Sequence, residues 1–150
     1  LAFLDIAEAF GRDTYKALYE MTATSEHFEK LTGAVFQMTA DFYQIHPNGG
    51  VPPTEMKDIR NTYFFRYALV GVLLALRWVG TGISRKALPK AKKIRNDIVD
   101  ANYIVCATYY DGLLTNDQKM AELYGMTDAL LNHFYAEDFG TSPPHIDLTL

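Results

Sequence analysis

The chain has 150 residues, of which 49% are hydrophobic and 21% charged, and its net charge at pH 7 is −4. This is one domain's worth of sequence with enough apolar surface for a core, and its acidic balance excludes a protein whose whole surface binds polyanions. The single cysteine, Cys106, excludes an internal disulfide framework and argues against a cysteine zinc site, so a reducing, cytoplasmic setting is expected.

In chain order, residues 2–6 (AFLDI) form a short apolar run ending near Asp5, which reads as a strand or as the first turn of a helix. Tyr15, Leu18 and Tyr19 have helical spacing. Phe28, Leu31, Val35, Met38 and Phe42 recur at three and four residues and predict an amphipathic helix over 25–43, capped by Thr24 or Ser25. His46, Pro47 and the glycines at 49 and 50 make a loop. Thr54 is expected to cap a long helix over 55–79, whose run from Tyr67 to Leu76 is too short to span a bilayer and reads as a central core segment. No signal peptide is visible.

Residues 83–95 are basic: Arg85, Lys86, Lys90, Lys92, Lys93 and Arg95 are six of the 14 Lys and Arg residues. Asn96 suits an N-cap for a helix over 97–110, and Asp111–Gly112 ends it. Residues 112–115 read as a buried strand, residues 117–135 as a further helix, and the alternation of Ile146, Leu148 and Leu150 as a final strand over 145–150. Strands separated by helices imply parallel pairing, so the expected fold class is α/β, a small parallel sheet covered by many helices. A single domain over 1–150 is expected, with a preceding segment left open by the initial Leu1.

In such a sheet ligands sit at the carboxyl ends of the strands. Asp100 and Asp117 would converge there, Asp97 lies one helical turn before Asp100, and Asp5 would end a strand at the same edge. Clustered carboxylates call for a cation, and oxygen-only ligands favour Mg2+ or Mn2+, whose usual work is phosphodiester hydrolysis.

The stretch from Asp100 to Asp117, an Asp opening a helix rich in small residues and then a short run ending in Thr115-Asn116-Asp117, resembles the C-terminal half of PIN-domain proteins. The resemblance covers about residues 95–124. It implies a three-layer α/β/α fold and a metal-dependent endoribonuclease, often the toxin of a toxin–antitoxin pair. It further implies Asp100 and Asp117 as metal ligands, with Asp97 assisting and Asn116 in the pocket. The N-terminal half departs from the family: Asp5 is followed by Ile6 and Ala7, and the family's glutamate has only Glu55, Glu26 or Glu29 as candidates.

The expected function is therefore RNA hydrolysis by Asp97, Asp100 and Asp117 around Mg2+ or Mn2+. Arg85, Lys86, Lys90, Lys92, Lys93, Arg95 and Asn116 would hold RNA, and Tyr109 or Tyr110 could stack on a base. Expected partners are RNA, an antitoxin-like protein and a second copy of the chain, with no membrane. A catalytically inactive PIN-like module that binds RNA or protein is the alternative, and a structural helical domain whose acids are caps is a third reading.

Overall fold

Thr62 starts the helix around which the others pack. Its Oγ1 accepts from the Phe65 amide at 3.2 Å and donates to the Ile59 carbonyl, so the chain breaks and restarts there. The long helix expected over 55–79 is thus two, a single turn at Met56–Ile59 and a main helix at Tyr63–Gly80. From Ala68 to Leu76 the main helix is apolar all round, and every residue of that stretch is buried. It is the one described helix long and apolar enough to cross a membrane, and here it forms the centre of the fold.

The computed structural model describes residues 2–20, 22–84, 86, 90–110 and 112–138. The helices are α1 (Ala2–Tyr19), α2 (Ser25–Ile45), α3 (Met56–Ile59), α4 (Tyr63–Gly80), α5 (Ala91–Ala107) and α6 (Gln118–Asp138). α1, α2, α5 and α6 all pack on α4. The N-cap Thr24 donates its backbone amide to Nδ1 of His27 at 3.1 Å, which fixes the start of α2.

No strand or sheet is found among the described residues. This corrects the α/β class, the three-layer arrangement and the PIN-like assignment together. Residues 2–5 are the first turns of α1: Leu4, Ala7, Thr14 and Leu18 are buried at helical spacing, and only the longer window reveals that period. Residues 112–115 are irregular; Leu113 touches the core, but Leu114 is fully exposed, so the run cannot be a buried strand. The strand expected over 145–150 lies outside the described residues. What remains is a helical bundle about one apolar helix.

Two glycines let α1 lie close on α4. A Cβ at Gly71 would enter the Phe3 ring, and one at Gly80 would enter the Tyr15 ring. Both rings rest on bare backbone, so α1 and α4 run the same way and in near contact. Gly11, at φ 74°, supplies the left-handed residue that kinks α1 between these contacts. α5 runs opposite to α4: its beginning meets the end of α4 through Asp97 and Trp78, and its end meets the start of α4 through Thr108 and Arg66.

Candidate functional site

α5 begins six residues earlier than Asn96 would place it, so the basic stretch from Lys92 to Arg95 is helical and Asn96 is interior. Asp97 and Asp100, one turn apart, project from its middle towards the start of α6. There Lys119 Nζ donates to Asp97 Oδ1 and to Asp100 Oδ2, at 2.7 Å each. Trp78 Nε1, from the end of α4, donates to the other Asp97 oxygen at 2.9 Å. Asp97 is 4% exposed, and both of its carboxylate oxygens are satisfied. Burial pushes the Lys119 ammonium down, but its hydrogen bonds to Asp100 and Asp97 outweigh that, and the net direction is up.

Asp117 serves a different purpose. Its Oδ1 accepts from the Met120 amide at 3.2 Å, which makes it the N-cap of α6, and its own amide donates to Thr115 Oγ1 at 3.1 Å. It ends no strand. Asn116 is exposed in the bend before it. Asp5 lies on α1 rather than at a strand end. Glu26 pairs with Lys30 on the surface of α2, and Glu29 and Glu55 are exposed. Among the described residues no group of three or more His, Cys, Asp or Glu side chains could hold a metal ion.

The donors present therefore do not fit Mg2+ or Mn2+. The place between Asp97 and Asp100 is filled by an ammonium from the protein itself, and Asp97 has no oxygen to spare. The pair expected to converge on a cation, Asp100 and Asp117, is not brought together; the acids that share one are Asp97 and Asp100, expected as neighbours one turn apart. The sequence reading missed that the cation is Lys119, and it missed Trp78; neither carries a local signal, because both come from other helices.

No family model, curated protein or solved structure matches this chain.

A second feature of α5 faces outward. Lys92, Asn96, Val99, Tyr103 and Cys106, continued by Tyr110 in the following turn, recur at three and four residues and are all exposed. Tyr103 is 63% exposed and Tyr110 76%. Lys93 and Arg95 flank the stripe, and Lys86 and Lys90 precede it, all exposed. Arg85 lies outside the described residues. Tyr109 is engaged elsewhere: its ring lies 3.8 Å from the Arg66 guanidinium carbon, and its hydroxyl donates to the Asn61 carbonyl. Of the two tyrosines expected to be able to stack on a base, only Tyr110 presents a ring with no such contact among the described residues, and Tyr103, two turns earlier, was not among those expected.

Near the end of α4, Arg77 pairs with Glu122 of α6 and donates to the Tyr19 hydroxyl at 2.8 Å. Burial pushes the Tyr19 phenol up to about 12, against the lowering effect of Arg77. Tyr19 and Lys119 both hold their protons more tightly in the folded protein. Their contribution to stability is whole below the ordinary values near 10 for both groups and is lost as pH rises through the folded ones. The melting temperature should hold steady from neutral pH to about 9.5 and then decline towards about 12. Circular dichroism melts across this range check it, and Tyr19→Phe should give a shallower alkaline decline than wild type.

Proposed function

We propose that the outward face of α5 binds single-stranded RNA as a module, without cleaving it. The observation that carries this reading is the alignment of exposed cations and exposed aromatics on one face of one helix. Lys92, Lys93 and Arg95 supply charge for phosphates, and Tyr103 and Tyr110 supply rings for unstacked bases. With 17 residues, α5 is about 25 Å long, enough for several nucleotides.

The position of the charges supports a binding role over a merely solvated surface. Cations in the first turn of a helix oppose its dipole, at a cost of about 0.3–1 kcal/mol each at exposed sites. Here the first turn holds Lys92 and Lys93 and no acid. Among the described residues none of Lys86, Lys90, Lys92, Lys93 and Arg95 forms an ion pair that would offset this. An arrangement that the fold itself disfavours is understandable if an anion occupies it.

Fluorescence anisotropy with a labelled oligouridylate tests the proposal. Contact with three or four phosphates should give a slope of log K against log salt of roughly −2 to −3. Reversing Lys92, Lys93 and Arg95 to Glu should weaken binding by more than about tenfold, and Tyr103→Ala or Tyr110→Ala should each remove about 1–3 kcal/mol. The same mixture with Mn2+ should leave the RNA intact. Binding that ignores salt and survives charge reversal would sink the proposal, and Mn2+-dependent cleavage lost in Asp100→Asn would restore the expectation of a nuclease.

A further inference from the structure

Protein interiors leave few voids larger than a water molecule. Among α1, α2, α4 and α5 there is nonetheless a recess of about 270 Å³. Tyr67, Gly71, Leu74 and Trp78, at three- and four-residue spacing, line it from α4, and Ile94, Ile98 and Ala101 line it from α5. Gly71 contributes no side chain, and the Phe3 ring lies directly on its backbone. Leu4, Met38, Leu74, Trp78 and Ala101 are buried and form the bottom. Phe3, Phe42, Tyr67 and Ile94 are half-buried and Ile98 is 41% exposed, so the recess is open to solvent along this rim.

The chemistry of the lining selects what could occupy it. None of the lining side chains is charged, and their polar N and O atoms are the Tyr67 hydroxyl and Trp78 Nε1, of which the latter is committed to Asp97. A stable water needs two to four polar partners, so water is poorly held and an apolar group would displace it favourably. A charged occupant would lose its hydration there and meet no opposite charge. The lining therefore selects an uncharged molecule.

The rings narrow the class further. Four of the eleven lining residues are aromatic: Phe3, Phe42, Tyr67 and Trp78. Phe3, Phe42 and Tyr67 meet one another tilted or edge-on, with centroids 5.9, 6.1 and 5.4 Å apart. A further ring added to such a group gains attraction beyond the area it buries, and a flat rigid molecule loses little freedom on binding. A cavity of ~150 Å³ admits one benzene ring, so this one takes about ten carbons, the size of two fused rings.

We propose that this recess binds a small uncharged aromatic molecule of two fused rings, seated between the rings of Phe3, Phe42 and Tyr67 and the inner side of α5. A docking helix would bring several side chains, more than this volume takes. The stripe that would meet RNA, through Lys92, Val99 and Tyr103, lies on the opposite side of α5, so this site stands independently of RNA binding.

Trp78 is the only tryptophan in the chain and lies at the bottom of the recess, so its indole N–H gives one signal in a proton–nitrogen correlation spectrum that reports occupancy. Titration with 2-naphthol at pH 7 should shift that signal saturably. Decahydro-2-naphthol, the saturated molecule of the same skeleton, should bind at least about threefold more weakly, and 2-naphthoate, which carries a charge, at least about tenfold more weakly. Ala101→Leu and Ile98→Phe, which fill the recess, should each weaken 2-naphthol by roughly tenfold. Ile98 is on the partly exposed rim, so its variant keeps the test decisive if Ala101→Leu does not fold. No saturable shift, equal affinity for the saturated alcohol or for 2-naphthoate, or filled variants that bind like wild type would each overturn the proposal. So would self-association that Ile98→Phe abolishes while 2-naphthol leaves the Trp78 signal unmoved, because the recess would then belong to a second copy.

Discussion

Lys119→Met is expected to destabilise the protein by about 3–5 kcal/mol at neutral pH, because it leaves two carboxylates side by side at a buried site. The Asp97 side chain is only 6% exposed and that of Asp100 27%, and the ammonium between them pairs with both at 2.7 Å. Removing it leaves Asp97 with the Trp78 hydrogen bond alone and a like charge one turn away. Urea denaturation at pH 7 measures the loss. In the double variant Lys119→Met with Asp97→Asn only the Asp100 carboxylate remains and the like-charge repulsion is gone, so the combined loss should be clearly smaller than the sum of the single ones. Strict additivity would show that the three side chains do not act as a unit. Restored stability on adding Mn2+ to Lys119→Met would show that the two acids accept a metal once the ammonium is gone.

Arg66→Ala is expected to cost a similar amount, about 3 kcal/mol or more, by a different route. Arg66 is 6% exposed although charged. Its Nη1 donates to the Thr108 carbonyl and, at 3.0 Å, to the Thr108 hydroxyl; Nη2 donates to Asn61 Oδ1 at 3.3 Å; and Nε points to the Arg60 carbonyl. The guanidinium is thus the cap on the C-terminal end of α5, where a helix leaves carbonyls without partners and its dipole favours a cation. Truncation would take the donor from the half-buried Thr108 carbonyl and hydroxyl and remove the stacked partner of Tyr109. For a chain of this size the melting temperature should fall by roughly 6–12 °C. Arg66→Lys should recover less than half of the loss, because one ammonium cannot reproduce a planar fork that reaches three residues at once. Recovery to wild type by lysine would reduce the role of Arg66 to its charge.

These two side chains show where sequence reading stopped. Arg66 and Arg77 are visible in the sequence only as charges flanking an apolar run, and simple pairing or snorkelling is the natural expectation. One turns out to cap a helix 42 residues further on, and the other joins α1 to α6. Asp97 and Asp100 were legible as neighbours because their spacing alone puts them on adjacent turns. Their partner was not, because Lys119 arrives from a separate helix and nothing near it in sequence marks the meeting. The resemblance to PIN domains rested on Asp100, Asp117 and a strand over 112–115, and it lost its structural basis when that segment proved irregular, with Leu114 in solvent.

Sequence by itself determined the helices whose periods run long enough to be read. α2 and α6 stand within a few residues of their expected ranges, and the all-apolar half of α4 is central, as its composition requires. It also located the basic stretch and the single cysteine. Tertiary structure alone decided the rest. Runs of four or five apolar residues, such as 2–5 and 112–115, fit a strand or a helix equally well, and only their neighbours select between them. Whether a cluster of acids meets a metal, a cap or a lysine depends likewise on groups distant in the chain, since electrostatic energy is set by separation in space and by burial.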